Sequence, residues 1–413
     1  MSSEKKKKVS KAPRKPFAPL YLLAVICCRA YMYIVYNLHL DNSQLKGINS
    51  PAVVLGNHES NLDFIIMALT LYPIRLNFMV TTYFFRHALL GRLLSFMGCI
   101  PKKQFVPDTT AIRACLATAK NGQSLGIFPE GQVTYTGATG EIDKSISKLV
   151  KKLGLPVIIC SIRGDHLTGP KWANGKQYHG RIESTAVRLL SSEQLSELSA
   201  DEIFNKISAA LSYNEYEWQR EKHVEFRPKR TTDGLQSILY HCPRCNCDFT
   251  FSSKNNELIC GKCGYKIEID SFGFLHGANG CQTFFDNPVD WYNSELDLLK
   301  SEMQRSDYSF TSACTLFKTV DNKFGYYRCG SGIMTADLSG IHFKGEKEGV
   351  PFEFSALVEH QSNVTHNMGM GGLDVPQGDV NYGLAPDDIR KLIKFVSIYV
   401  IAHRLYTSTN HLS

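Results

Sequence analysis

The sequence predicts an α/β fold for its first half: a mixed, largely parallel sheet flanked by helices. A small cysteine-bound ribbon follows, then a β-rich C-terminal domain closed by a helix. Three observations carry this reading. Apolar runs short enough for buried strands alternate with helical patterns between Val53 and Ile162, as in strand–helix–strand units. Two C-x-x-C pairs, Cys242/Cys245 and Cys260/Cys263, flank a short stretch with hairpin character. From Thr315 to Val358 extended segments recur, and an apolar helical pattern from Pro386 to Leu405 closes the chain.

Residues 1–16 read as a basic disordered tail. The net charge of +7 resides almost entirely there, in Lys5, Lys6, Lys7, Lys8, Lys11, Arg14 and Lys15 against Glu4. A localised basic tail fits an anionic membrane surface or a nucleic acid and argues against a uniformly basic enzyme body. Residues 17–40 open with the most hydrophobic stretch, Phe17 to Leu38. It is long enough to span a bilayer, but Arg29 near its centre costs about 2.5–3.5 kcal/mol there. Tyr21, Tyr31, Tyr33 and Tyr36 are residues of interfaces rather than of bilayer centres. We read a membrane-associated helix lying in the cytoplasmic leaflet, its neighbouring lysines on anionic lipids; a true span and a core helix are the alternatives. No small-residue cleavage site follows, which argues against a removed signal peptide. Thirteen cysteines, including the adjacent Cys27 and Cys28, suit a reducing compartment.

Residues 41–225 carry the α/β pattern. Val53 to Gly56 is a strand, and an apolar helix resumes at Phe64, leaving His58 in the loop and Asp63 in the first helical turn. A histidine so placed can take a proton from a hydroxyl if the carboxylate fixes its tautomer and stabilises the imidazolium. The plainer alternative is a helix capped by Ser60 with a loop histidine beside it. Next come a strand (Leu76 to Val80), a helix (Tyr83 to Phe96), and the block Gly98-Cys99-Ile100-Pro101-Lys102-Lys103. Asp108 caps a helix to Lys120 that turns Ile112, Cys115 and Leu116 inward. Strand Leu125 to Phe128 ends in Pro129-Glu130-Gly131, which holds Glu130 at a strand end, where open α/β sheets bind ligands. A helix (Ile142 to Leu153), a strand (Pro156 to Ile162) and a mostly helical segment (Ser192 to Arg220) complete this part.

These blocks, in this order, resemble the glycerolipid acyltransferase family, which includes the lysophosphatidic acid (1-acylglycerol-3-phosphate) acyltransferases, over roughly residues 20 to 215. The resemblance rests on His58 and Asp63 with four residues between, the Gly98-x-Ile100-basic block, Phe128-Pro129-Glu130-Gly131, and the late strand at Pro156-Val157. It implies a glycerol-3-phosphate acyltransferase-like fold, His58 and Asp63 as the catalytic pair, and Glu130 and Gly131 at the acceptor or ordering its pocket. In the family the basic block supplies an arginine for the acceptor phosphate. That position falls at Gln104 here, leaving Lys102 and Lys103 as sources of charge. A second arginine, after the Glu-Gly turn, is replaced by Gln132-Val133-Thr134. Arg163, Lys171 or Arg181 are then the compensating candidates, with Lys171 in the Gly169-Pro170-Lys171-Trp172 segment.

Residues 226–238 read as a linker and 239–271 as a zinc ribbon. Its thiolates Cys242, Cys245, Cys260 and Cys263 suit one tetrahedral, structural zinc ion with about 2.3 Å to each sulfur. Residues 272–413 open with a helix (Asp290 to Met303). Extended segments at Thr315 to Val320, Phe324 to Cys329, Gly332 to Asp337, Ile341 to Lys344 and Phe352 to Val358 precede the final helix. Strands closed by one helix are loosely similar to pleckstrin-homology-like sandwiches.

The reading is therefore an O-acyltransferase of phospholipid biosynthesis. It moves a fatty acyl group from acyl-CoA or acyl-carrier protein to a hydroxyl of a lysophospholipid, with no cofactor for catalysis. Backbone amides near Gly98 or Ser60 are candidates to hold the oxyanion. Nucleic acid is not expected as a partner. The rival reading is a non-catalytic membrane- or nucleic-acid-binding protein on an acyltransferase-like scaffold, favoured by the two missing arginines and opposed by His58, Asp63, Glu130 and Gly131 occurring together.

Overall fold

The computed structural model describes residues 13–410 except 46–47, 49–50, 255, 321–322, 368–370 and 379; the lysine-rich start of the tail lies outside the described residues. The first part runs α1 (Ala18–Tyr36), β1 (Leu38–Asp41), β2 (Val53–Gly56), α2 (Asp63–Leu71), β3 (Leu76–Thr81), α3 (Thr82–Phe85), α4 (Ala88–Phe96), β4 (Ile100–Lys102), α5 (Thr109–Lys120), β5 (Ser124–Ile127), α6 (Ser145–Leu153), β6 (Val157–Arg163) and β7 (Ile182–Leu190). Helices α7 (Ser192–Glu197), α8 (Ala200–Leu211) and α9 (Glu215–Lys222) follow. The sheet order is β1-β7-β6-β2-β5-β3-β4, and every pair is parallel except β6 with β7. This is the mixed, largely parallel sheet expected from the sequence.

Strand alternation divides the core. Val54, Ile158 and Cys160 face α1 and α2, whereas Val53, Leu55, Ile127, Val157 and Ile159 face α5, α6 and α8. Strands buried on both faces must be apolar throughout, which is why β2 and β6 read as continuous runs. At Gly56 the backbone comes so close to Met67 and Cys160 that a Cβ would lie 2.5 Å from the Met67 methyl.

Some expectations shift. The helix predicted from Tyr83 to Phe96 is broken into α3 and α4, the latter begun by His87, whose ring accepts from Leu90 N. In α5, Asp108 caps as expected, but Ile112 is exposed and Ala111, Ala114, Cys115 and Thr118 are buried. Helix α6 starts at Ser145 instead of Ile142. Two capping boxes, Ser191 with Gln194 and Ser199 with Glu202, set the starts of α7 and α8.

Beyond α9 the ribbon has a short pair, β8 (His241–Cys242) and β9 (Cys247–Asp248), and a four-stranded antiparallel sheet. Its strands are β10 (Phe251–Lys254), β11 (Glu257–Cys260), β12 (Lys266–Ile269) and β13 (Leu275–Gly277). The segment read as a linker is not a free tether. Phe226, Arg230, Thr232, Leu235, Ile238 and Leu239 are buried, with the Arg230 guanidinium 4.4 Å from the Tyr178 ring and 5.1 Å from that of Phe226. The Pro-Lys-Arg composition suggested solvent; the structure instead stacks the flat guanidinium between rings.

Helix α10 (Pro288–Glu302) leads to a seven-stranded antiparallel sheet: β14 (Phe310–Thr319), β15 (Tyr326–Asp337), β16 (Gly340–Lys347), β17 (Val350–Leu357), β18 (Thr365–Asn367), β19 (Gly372–Gln377) and β20 (Val380–Pro386). Its order is β17-β16-β15-β14-β20-β19-β18, and α11 (Leu392–Asn410) packs Leu392, Phe395, Val396 and Tyr399 into its core. The two segments predicted at Phe324 to Cys329 and Gly332 to Asp337 are one strand, and β18 to β20 were not foreseen.

Candidate active site

Strands β5, β2 and β6 are neighbours and parallel, so their carboxyl ends bring three loops to one edge: the His58 loop, the Glu130 turn and the turn at Asp165. Asn57 anchors the first. Its amide donates to Ile162 O (2.7 Å) and to Glu59 Oε1 (2.9 Å), and its carbonyl accepts from Ile162 N (2.8 Å). His58 then stacks on Phe128 at 4.6 Å between centroids, and its Nδ1 lies 2.7 Å from Asp63 Oδ2. Asp63 is the first residue of α2; the same oxygen accepts from Ser60 N at 3.0 Å. His58 Nε2 has no partner among the described residues, and the side chain keeps 22% of its surface exposed. One nitrogen is oriented and the other is open.

Electrostatics hold the ring in its unprotonated form. Burial, reinforced by the Lys171 charge, pushes the His58 pKa down to about 3, so the ring is neutral near pH 7. Asp63 moves the other way. It is fully buried beside Asp165 and Glu59, and its pKa lies well above the usual carboxylate range. Asp63 and Asp165 are close enough to share a proton. Asp165 is held by Ser60 Oγ (2.6 Å) and Thr168 Oγ1 (3.0 Å). Ser60 is thus not the helix cap of the plainer sequence reading, because Leu62 occupies that position.

Glu130 faces backbone. Its Oε1 accepts from His58 N (2.8 Å) and its Oε2 from Gly140 N (2.6 Å), while burial lifts its pKa to about 7. Of its two sequence-based roles, the geometry is that of ordering the pocket. Gly131 has φ of +73°, and the Phe105 ring closes over it, which favours glycine twice.

The presumed phosphate contacts are scattered. Lys102 donates to Lys103 O and, at 2.8 Å, to Val106 O; Lys103 Nζ reaches Gly378 O at 3.1 Å in the C-terminal sheet. Gln104 donates to Gly131 O (2.8 Å), and Gln132 accepts from the Tyr135 hydroxyl (2.8 Å). Gln104, at the first arginine position, and Gln132, next to Val133 at the second, therefore stitch loops together. Arg181 pairs with Glu183 at 2.6 Å. Lys171 alone of the compensating candidates lies where its charge acts on His58, with Nζ 4.7 Å from the Tyr135 ring centre. The two candidate oxyanion donors are engaged elsewhere: Ser60 N by Asp63, and Gly98 N by Ser95 O at 3.1 Å.

Sequence reasoning missed Asn57, Glu59, Asp165 and Glu215. Glu215, buried at the start of α9, accepts from Gly164 N (3.1 Å) and the Tyr213 hydroxyl (2.5 Å) and braces the Asp165 turn from below. A carboxylate following a buried strand was the one available signal for Asp165.

The ribbon cysteines form a second cluster. Their sulfurs all lie within 4.8 Å of one another, with Cys242–Cys263 at 3.7 Å and Cys245–Cys260 at 3.8 Å. Four thiolates about 2.3 Å from a tetrahedral zinc have edges of about 3.8 Å, so the donor set fits one such ion and no disulfide.

Sheet order, the histidine–carboxylate pair at its edge and the Glu-Gly turn define a class. Residues 36–163 match the family model described as Acyltransferase. Over 195 residues the chain is 25% identical to the chloroplastic 1-acyl-sn-glycerol-3-phosphate acyltransferase BAT2 of Brassica napus, covering 46% of this chain and 56% of that protein. Among solved structures it is similar to the 1-acyl-sn-glycerophosphate (LPA) acyltransferase PlsC from Thermotoga maritima, at 16% identity and a TM-score of 0.40, over 46% of this chain and 78% of that one.

Proposed function

We propose that the chain transfers a fatty acyl group from a thioester, acyl-CoA or acyl-carrier protein, to a hydroxyl of a lysophospholipid, with 1-acylglycerol-3-phosphate as the leading acceptor. The observation that carries this is the His58–Asp63 contact of 2.7 Å with Nε2 left open, inside a domain of this family. Nε2 takes the acceptor's hydroxyl proton. The oxygen attacks the thioester carbonyl carbon, and the oxyanion collapses with cleavage of the C–S bond. The departing thiolate regains the proton from the imidazolium, which Asp63 stabilises meanwhile. General-base catalysis of this kind supplies about 10²–10⁴-fold, and the rest comes from positioning and the oxyanion site.

The same reading divides the chain into an acyltransferase domain (41–225), a zinc ribbon (239–271) and a C-terminal domain (272–413). The strand order of the last suits a pleckstrin-homology-like sandwich. A structural zinc would be held by Cys242, Cys245, Cys260 and Cys263; a closed four-thiolate site supplies fold and no catalysis. Helix α1 supports an interfacial seat on the membrane. Tyr21, Val25, Met32 and Tyr36 bury one face along its whole length against the protein body, while Leu22, Leu23, Ile26 and Ile34 are exposed. Leu89 and Leu93 of α4 add exposed apolar surface.

The test is to incubate purified protein with labelled acyl-CoA, and separately with labelled acyl-carrier protein, and a panel of lysophospholipids. A diacyl product from at least one acceptor is expected. No acyl transfer from either acyl-CoA or acyl-carrier protein to any of them would remove the proposal.

A further inference from the structure

The C-terminal sheet docks against the loops of the candidate active site. Ser362 N donates to Phe105 O at 2.9 Å, next to the ring that closes over Gly131. Tyr83 packs on Phe324 and Tyr326 at 4.7 and 5.6 Å, and Lys103 bonds Gly378 O. This contact carries β18 to the cleft and sets the His366 ring 5.1 Å from that of Tyr135, on which Lys171 also lies.

Two features there are unexplained by folding. His366 is 1% exposed, yet neither ring nitrogen has a hydrogen-bond partner among the described residues. A buried imidazole left so is destabilising unless something else meets it. Lys171 makes no ion pair or hydrogen bond among the described residues, although it is crowded enough for its pKa to fall to about 7. Its charge acts on both His58 and His366, and the Tyr135 ring that it faces at 4.7 Å lies 5.1 Å from the His366 ring. A cation without an anion and an imidazole without a partner, side by side, are complementary to a phosphate: the ammonium supplies charge and the neutral ring one N–H donor.

We propose that Lys171 and His366 together seat the phosphate of the acyl acceptor, so that the C-terminal domain completes the acceptor pocket of the acyltransferase domain. This rests on the acyl-transfer reading above. It accounts for the uncharged Gln104 and Val133 where the family has arginines. The acceptor's phosphate fits better than the donor's. In a lysophosphatidate the phosphate is attached next to the carbon bearing the reacting hydroxyl, whereas the phosphates of coenzyme A lie a long pantetheine arm from the thioester.

The experiment measures binding without turnover. Two water-soluble probes, hexanoyl-lysophosphatidate and monohexanoylglycerol, differ only in the phosphate, and coenzyme A reports the donor side. Calorimetric titrations use the full chain as wild type, Lys171→Met and His366→Gln. Each variant should bind hexanoyl-lysophosphatidate about tenfold or more weakly, the scale of one lost hydrogen bond to a charged group. Binding of monohexanoylglycerol and coenzyme A should stay as in wild type. In the unmutated protein, hexanoyl-lysophosphatidate should shift the His366 ring resonances and monohexanoylglycerol should not. This arm stands even if His366→Gln folds poorly. Unshifted resonances with wild-type affinity in Lys171→Met, equal losses for both probes, or a loss confined to coenzyme A would each overturn the proposal. Because no step needs catalysis, these outcomes are independent of whether acyl transfer is found.

Discussion

At His58, burial and Lys171 act in the same direction, and the consequence is measurable. A base whose pKa is pushed down to about 3 loses activity only when the solution is well below the usual imidazole range. The acid limb of kcat/KM should therefore lie below pH 6.5. Lys171→Met removes one of the two causes, so the limb should move upward; an unmoved limb would show that the lysine's charge does not reach the ring. Asp63→Asn should cost on the order of 10³-fold in kcat, because an amide neither enforces the tautomer nor stabilises the imidazolium. Glu130 makes a contrasting case. Both its oxygens accept backbone N–H groups, one of them that of His58, which supports a role in ordering the loop. Glu130→Gln should lower kcat for every acceptor alike with KM unchanged, and a selective rise in acceptor KM would contradict this. His58 and Asp63 were legible because an adjacent strand and helix fix their spacing. Asp165 and Glu215 were not, since they meet the site only after β6 and α9 are placed in three dimensions.

Among the elements, the ribbon and α1 lend themselves to direct tests. The ribbon shares a core with the loop that carries Lys171: Leu167, Trp172 and Tyr178 pack with Leu235, Phe251, Leu258 and Tyr265. Metal binding at such a site is coupled to folding. The unmutated chain should carry one zinc, and Cys245→Ser should lower that content and the melting temperature and raise acceptor KM through the displaced loop. Full metal content and stability in that variant would remove the four-thiolate assignment. For α1, flotation with anionic vesicles should persist when Leu23 and Ile26 are kept and weaken when both are made Ser; unchanged flotation would place the membrane contact elsewhere. The C-x-x-C spacing and the apolar run of α1 were visible in the sequence because each is a local pattern. Strands β18 to β20 were not, since Gly371, Gly372, Gly378 and Gly383 interrupt the period-two alternation that marks a strand. The 226–238 segment was misjudged for a related reason: composition reports Arg230 as a surface charge, whereas its stacking partners Tyr178 and Phe226 come from separate parts of the fold.

For the whole molecule, the parallel order of β5, β2 and β6 explains why blocks far apart in the chain form one cleft; the alternation of strands and helices foretold a largely parallel sheet but not that order. How the C-terminal sheet meets the cleft had no sequence signal, because it depends on contacts such as Ser362 to Phe105 between segments unrelated in pattern. The account as a whole stands on one group, the open nitrogen of His58. The most direct test compares His58→Ala with wild type on an acceptor that the lysophospholipid panel yields, at matched melting temperature and circular dichroism. The residue sits in a loop held by Asn57 and Glu130 through backbone contacts, so the fold should survive its loss. Turnover should fall on the order of 10³-fold or more. Turnover within a few-fold of wild type would contradict the mechanism.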